Sequence, residues 1–563
     1  MVRRVVSRLT CLCCSARRLL CRHIIVLALL AVASSSAAAD LAVAGIFRDG
    51  MVLQRETLAP VWGTADPGAT VTVSFAGQTK QAKATAGGKW QIKLDPLTAS
   101  SEPAVLKISA NFQSSVFTLH ISNVLVGEVW LVGGQSNVDW TLKKLVAKPG
   151  SPEEAEAYHY LLNEVAAADD SLLRQFTVGT SASPLKELEE IRANTGWTRA
   201  VKGQVADFSG TGYFFGRELR KGLGVPVGLI DANRGGTDIE PWIPKREYMK
   251  TDGGKAFFEQ ETGKLAPEAM KQHKAAYQKQ LAAWKQQAAE AKAAKKKAPR
   301  KPADPLNANR VPAALYNAFI HPLASYAMKG VVWYQGENNT AYRTEQYRQS
   351  MLWLIAGWRN HWRQEEMPFI WCQLANKNHP NTEPNDGDSW VSVQNQQREV
   401  LALTENTGMA VLNDIGDARN IHPKNKVDAG KRLAVWAFKK AYGKEIVCSG
   451  PLYKSAQVQG SKIVIRFDHV GSGLMAGKKI GLEPTQEVDE PLKRFQICGA
   501  DRQWQWAEAR ITDKNTVDVW HKEIPEPTEV RYAWSANPAG ANLYNKEGLP
   551  ASLFKTGALQ VIE

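Results

Sequence analysis

Apolar positions along the chain follow two grammars. Between residues 41 and about 125 they alternate with polar ones in short runs, "APVWGTADPGATVTVSFAG", "GGKWQIKL" and "AVLKISA", broken by Gly, Pro and Asp turn signals. That spacing predicts a small β-sandwich. From about Gly127 the apolar runs become continuous: "EVWLVGG", "VGLIDANRGG", "GVVWYQGEN", "PFIWCQLAN" and "GMAVLND". Between and after them lie the helical patterns "GYFFGRELRKGLG", "EQYRQSMLWLIAGWRNHW", "SWVSVQNQQREVLALTEN" and "KVDAGKRLAVWAFKKAYG". Near-continuous apolar strands separated by amphipathic helices predict a parallel sheet covered on both faces. Beyond about Gly450 the strand grammar returns in "KIVIRFDHV", "TVDVWHKE" and "EVRYAWSA", which predicts a second β-rich module.

The first 39 residues obey neither grammar. A basic stretch carrying Arg3, Arg4, Arg8, Arg17, Arg18 and Arg22 precedes the apolar run from Ile24 to Ala33, and "SSSAAAD" follows. Small residues at Ala37 and Ala39 ahead of Asp40 complete the pattern of a cleaved secretory leader. The apolar run is about half of the roughly 20 residues a membrane-spanning helix needs, so export without stable membrane insertion is expected.

Setting aside these arginines lowers the formal net charge from +14 to +8. Most of the remainder is concentrated between Arg246 and Asp304, where 14 Lys and Arg face 7 Asp and Glu. This basic helical insertion, rich in Ala, Lys and Gln and ending in prolines, reads as a solvated helix face; a contact with an anionic polymer or membrane surface is the other reading. Outside it the chain is nearly neutral, and the high isoelectric point is no argument for nucleic acid. Four of the seven cysteines fall in the leader. Cys372, Cys448 and Cys498 remain: too few for a disulfide framework, matching no zinc spacing, and leaving Cys448 with Cys498 as the more plausible pair in an oxidising compartment.

In doubly wound sheets ligands collect at the carboxyl ends of the strands, where loops and helix N-termini converge. Four such ends are loaded with polar residues: Gly134-Gln135-Ser136-Asn137, Asn233-Arg234-Gly235-Gly236-Thr237, Gln335-Gly336-Glu337-Asn338, and "DIGDARNIHPKNK" with His422 just before a helix. A serine hydroxyl becomes a competent nucleophile only beside a base and donors aimed at the oxyanion it creates. Ser136 as nucleophile, His422 as base, and an oxyanion hole of the Ser136 and Gly235 N–H groups with the Gln335 amide supply those parts. Trp140 and Trp242, which follow two of the blocks, are candidates for stacking against a substrate.

These blocks, with "FRDGMVLQR", "LYNAFIHPL" and "VRYAWSANPAGANLYNKEGLPAS", resemble the sialate O-acetylesterase family of the SGNH (GDSL-like) hydrolase superfamily over essentially the whole chain after the leader. The resemblance implies an α/β fold: a three-layer α/β/α domain over 126–449 carrying the insertion at about 246–304, flanked by the sandwich at 40–125 and a β-rich domain at 450–563. It implies Ser136 as nucleophile, His422 as base, the "GGT" and "YQGE" blocks as oxyanion elements, an acetylated carbohydrate as substrate, and no metal or organic cofactor. Two positions depart from the family pattern. Val138 stands where Met is usual, a packing change. Asn420 stands where the family's Asp-Ile-His-Pro has its acid, removing the carboxylate that would orient the imidazole and stabilise its charged form. Asp417, Asn420 and Glu337 are then the residues available to support His422. The resulting expectation is an exported carbohydrate esterase with a Ser-His dyad, acting on sialic acid esters or on plant or algal polysaccharide esters. A glycan-binding protein with a decayed hydrolase core is the competing class.

Overall fold

The structure is a computed structural model that describes residues 41–112, 115–146, 155–179, 182–183, 185–191, 193–296, 298–299, 301–302, 304, 307, 310–384 and 387–557. Residues 1–39, which read as a leader, lie outside the described residues.

The central sheet contains β1 (Ser115–Gly134), β2 (Asp169–Val178), β3 (Ala193–Val201), β4 (Val227–Asn233), β5 (Gly330–Tyr334), β6 (Phe369–Cys372) and β7 (Thr407–Ala410) in the spatial order β3-β2-β4-β1-β5-β6-β7. All neighbours are parallel except the edge strand β3, which runs against β2. The apolar runs are buried end to end, as in Gly330–Tyr334, because helices cover both faces. On one face α1 (Gly210–Leu223) sets Phe215 edge-on against Trp130, and α4 (Lys426–Tyr442) lays Trp436 over Gly408. On the other, α2 (Tyr347–Trp362) brings Trp358 against Trp333 and Phe369, with α3 (Ser389–Leu403) packed beside it. Sequence signals set the helix ends: Ser209 accepts from Gly212 N–H at the start of α1, Asp388 caps α3, Asn425 caps α4, and Gly224 and Gly443 end α1 and α4 with positive φ.

The strand β1 is 20 residues long. Its first half pairs antiparallel with Ser100–Phe112 in the N-terminal β region and its second half forms the centre of the parallel sheet, so the expected boundary near residue 125 falls inside one continuous strand. In that N-terminal region Ala59–Thr64, Thr70–Phe75 and Lys89–Leu94 alternate buried and outward residues as the period-2 pattern demands. Among the described residues the C-terminal strands form three small antiparallel sheets around a separate core that includes Phe467, Phe495, Val517, Tyr532 and Phe554. Within the basic segment, the helix Pro267–Ala293 buries no residue, as expected of a solvated face. The stretch before it does not share that character: Tyr248, Phe257 and Phe258 are buried, and Tyr248 packs on Trp353 of α2.

Cys372, Cys448 and Cys498 are all buried free thiols. The pairing of Cys448 with Cys498 is not formed, because Cys448 belongs to the main core whereas Cys498 ends a strand of the separate C-terminal core.

Candidate active site

The strand order reverses direction at β1: the chain reaches β4 on one side of it and then crosses to β5 on the other. A parallel sheet opens a crevice at such a point, outside the carboxyl ends of its strands. The three ends are level, with Asn233, Gly134 and Tyr334 in register. The ladder continues one step into the loops, Arg234 N–H donating to Gly134 O at 3.1 Å and Gln135 N–H to Tyr334 O at 3.0 Å. Gly134 has φ +141°, and a side chain there would run into the Tyr334 carbonyl. Glycine is therefore required for the backbone to turn out of the sheet at that position.

Ser136 opens the single helical turn Ser136–Asp139, held by Asp139 N–H to Gln135 O and Trp140 N–H to Ser136 O. The N–H groups at the start of a helical turn, that of Ser136 among them, have no partner within it. His422 reaches the same spot from the loop between β7 and α4, and its Nε2 lies 2.8 Å from Ser136 Oγ. The indole of Trp140 stacks on the imidazole with centroids 4.4 Å apart and planes inclined by 17°. Gly235 stands beside Ser136: a methyl group built on it would be 3.7 Å from Ser136 Cβ. Ser136, Gly235, His422 and Trp140 are thus brought together.

Burial pulls the His422 imidazole down to about 4, reinforced by the positive charge of Lys426 and opposed by Asp139. It is therefore neutral near pH 7 and free to accept a proton. Among the described residues no carboxylate lies within ion-pairing distance of the ring. The three residues expected to support it act elsewhere. Asn420 Oδ1 accepts from the backbone N–H of His422 at 2.9 Å, not from the ring. Asp417 Oδ1 accepts from the backbone N–H groups of Arg419 and Asn420, at 2.7 and 3.1 Å, and so shapes the loop. Glu337 is buried and accepts from Asn137 Nδ2.

Two further expectations are corrected by the geometry. Gln335 is fully buried, and its amide already donates to Thr237 O at 3.1 Å and Asn339 Oδ1 at 2.7 Å. Both N–H bonds being spent, it ties the "QGENN" block to the "GGTDIE" block and has none left for an oxyanion. Trp242 is also fully buried, with its indole N–H on Thr237 Oγ1 and its ring against Phe319 and Trp333, so it faces the core and not a substrate. Trp140 keeps one ring face for His422, leaving only its other face for any ligand.

What motif reading missed is the polar packing behind the pair. Asn338 donates to Asp238, Asn339 to Glu240 Oε2, and Arg310 and Arg343 approach these two acids at 3.3 and 3.4 Å. Burial pushes Asp238 up to about 6 and Glu240 up to about 7, with the neighbouring Asp238 charge adding to the rise at Glu240. The only sequence signal for this cluster was a set of acids and amides inside otherwise apolar blocks. Among the described residues no group of three or more His, Cys, Asp or Glu is arranged to hold a metal ion.

Residues 307–439 match the family model described as carbohydrate esterase, sialic acid-specific acetylesterase. The sialate O-acetylesterase of Homo sapiens is 27% identical over 558 residues, covering 91% of each chain, and that of Rattus norvegicus is 27% identical over 527 residues, covering 87% of this chain and 88% of its own. A solved structure, a carbohydrate acetylesterase from Xanthomonas citri, superposes with a TM-score of 0.73 at 33% identity, covering 92% of this chain and all of its own.

Proposed function

Because the chain belongs to the sialate O-acetylesterase family of carbohydrate esterases, we propose that it hydrolyses O-acetyl esters of sugars by an acyl-enzyme mechanism carried by Ser136 and His422. The observation that carries the mechanism is the 2.8 Å contact between Ser136 Oγ and His422 Nε2 at the switch point of the sheet. That distance is a working hydrogen bond for transfer of the hydroxyl proton.

Ser136 Oγ attacks the acetyl carbonyl carbon as His422 Nε2 takes the hydroxyl proton. The carbonyl oxygen becomes an oxyanion, for which we assign the N–H groups of Ser136 and Gly235 as donors. On collapse the C–O bond to the sugar breaks, and His422 returns the proton to the departing alkoxide, so the sugar leaves as an alcohol. Water then attacks the acetyl-serine ester, delivering its proton through His422 to Ser136 Oγ and releasing acetate. With no carboxylate behind the ring, the imidazolium formed in each half-reaction is stabilised by the Trp140 face on which it lies and by the negative charge of Asp139. This is a Ser-His dyad with aromatic support.

Around this centre we read the chain as an SGNH-type core joined to β modules on both sides, exported by way of its leader. Among the described residues no helix is long and apolar enough to cross a membrane. The substrate is an acetylated sugar, from sialic acid or from plant or algal polysaccharide. Acetate release from acetylated sialic acid, xylan and pectin, compared with Ser136→Ala, tests the reading: release by the parent chain and none by the variant supports it. Equal release by both would remove Ser136 from the mechanism, and release from none of the three would favour the glycan-binding alternative.

A further inference from the structure

Four residues beyond His422, at the first position of α4, lies a lysine with no exposed surface. Neither half-reaction uses Lys426. Its ammonium donates to Asn137 Oδ1 at 2.5 Å and sits 5.3 Å from the centre of the Tyr334 ring. The amide nitrogen of the same Asn137 donates to Glu337 Oε1 and, at 3.1 Å, to the carbonyl of Ile421. Asn137 follows the nucleophile and Ile421 precedes the base. One side chain therefore bridges the turn that carries Ser136 and the loop that carries His422.

The orientation of that bridge is not free. An ammonium only donates, whereas an ionised carboxylate and a backbone carbonyl only accept. Lys426 therefore draws the Asn137 carbonyl oxygen, while Glu337 and Ile421 draw its nitrogen. A flipped amide would set NH2 against the ammonium and oxygen against two acceptors. Burial pulls Lys426 down to about 7, and the charge of Glu337, on the far side of Asn137, opposes that fall and favours the ammonium.

We propose that Lys426 is a positioning residue of the esterase: acting through Asn137, its buried ammonium clamps the Ser136 turn to the Ile421-His422 loop and holds the two reacting atoms in register. The clamp rests on the Ser136–His422 reading of the mechanism. Its charge has a second effect. The charged groups acting on His422 are Lys426, Asp139, Lys144 and Lys377, and Lys426 is the strongest of them, opposing protonation of the ring. The groups acting on Lys426 itself are Glu337 and Cys372.

The test uses the full chain, with p-nitrophenyl acetate and an acetylated sugar as substrates across pH 4 to 9. Lys426→Met removes both the donor and the charge. The expected result is a kcat about ten- to a hundredfold lower, the size of effect that misplacement of reacting groups produces, with KM within about threefold and the acidic limb of the kcat/KM profile moved upward. Lys426→Gln keeps an N–H for Asn137 without the charge, and recovers most of kcat while retaining the moved limb. A Lys426→Met enzyme with the parent kcat and profile overturns the clamp, as does a loss that merely tracks the folded fraction. Should Lys426→Met not fold, Lys426→Met/Glu337→Gln, which removes both buried charges, carries the same expectations. Ser136→Ala separates the two levels. An active Ser136→Ala sinks the dyad, whereas an inactive Ser136→Ala beside an unimpaired Lys426→Met sinks the clamp alone.

Discussion

The indole of Trp140 and the imidazole of His422 lie face to face, 4.4 Å between centroids and 17° between planes. Aromatic pairs of this kind contribute about 0.5–1.5 kcal/mol. Trp140→Ala is therefore expected to lower kcat/KM about two- to tenfold, with Trp140→Phe intermediate, as measured by acetate release. The melting temperature should stay close to that of the parent, because Trp140 is only half-buried.

Trp242 has the opposite expectation. It is fully buried between Phe319 and Trp333, and its truncation leaves a cavity in the core. Trp242→Ala should cost about 3–5 kcal/mol in stability, seen in urea unfolding, and reduce activity only through the loss of folded protein. A stable Trp242→Ala with a raised KM would instead return this residue to the substrate.

The low affinity of His422 for protons predicts a broad active range. With the ring held at about 4, the base form persists well below the usual histidine range near 6.5, and kcat/KM should stay level down to about pH 5 before falling. Stability follows the same sign. Below pH 6.5 the unfolded chain takes up protons that the folded His422 and His361, both pulled to about 4 chiefly by burial, do not. The folded state should therefore lose stability as pH falls from about 6.5 toward 4, which a melting series in that window would read.

Asn420→Asp restores the acid that the family motif carries. Asn420 Oδ1 already accepts the His422 backbone N–H, so the substitution preserves that bond and adds a negative charge near the ring. The expected outcome is a higher kcat and an acidic limb displaced upward, since a nearby anion favours the imidazolium. An unchanged profile would mean that the Trp140 face and Asp139 already supply the support.

Gly235→Ala tests the oxyanion assignment. The new methyl would stand 3.7 Å from Ser136 Cβ, an ordinary contact, so the fold should tolerate it. It would nevertheless crowd the tetrahedral centre beside the donor. A fall in kcat on the order of 10²-fold at unchanged melting temperature is expected from steady-state kinetics. Gln335→Leu should do the reverse, costing about 1–3 kcal/mol by taking the amide donor from Thr237 O and one of two donors from Asn339 Oδ1.

Much of the molecule was legible because its signals are local. Period-2 alternation identified the outer strands, and continuous apolar runs identified β4, β5 and β6. Gly134 ahead of Ser136 announced a turn at a strand end, and the strand-end rule brought Gly235 and His422 to the same crevice. The residues misread from the sequence share one property: their roles depend on which way a side chain turns after folding. Gln335 and Trp242 sit inside the right motifs but point inward.

The sequence by itself therefore determined the kinds of elements, their order, and the polar blocks that crown the sheet, since periodicity and turn chemistry need only near neighbours along the chain. Tertiary structure alone decided that Trp140 covers the imidazole, that Cys448 sits in the main core while Cys498 ends a strand of the C-terminal one, and that Asn137 is held between Lys426, Glu337 and Ile421. The partners in those contacts come from distant segments: Lys426 follows Asn137 by 289 positions. A hydrogen bond requires placement to within a few tenths of an ångström, and only the completed register of the sheet and the packing of α4 against it provide that.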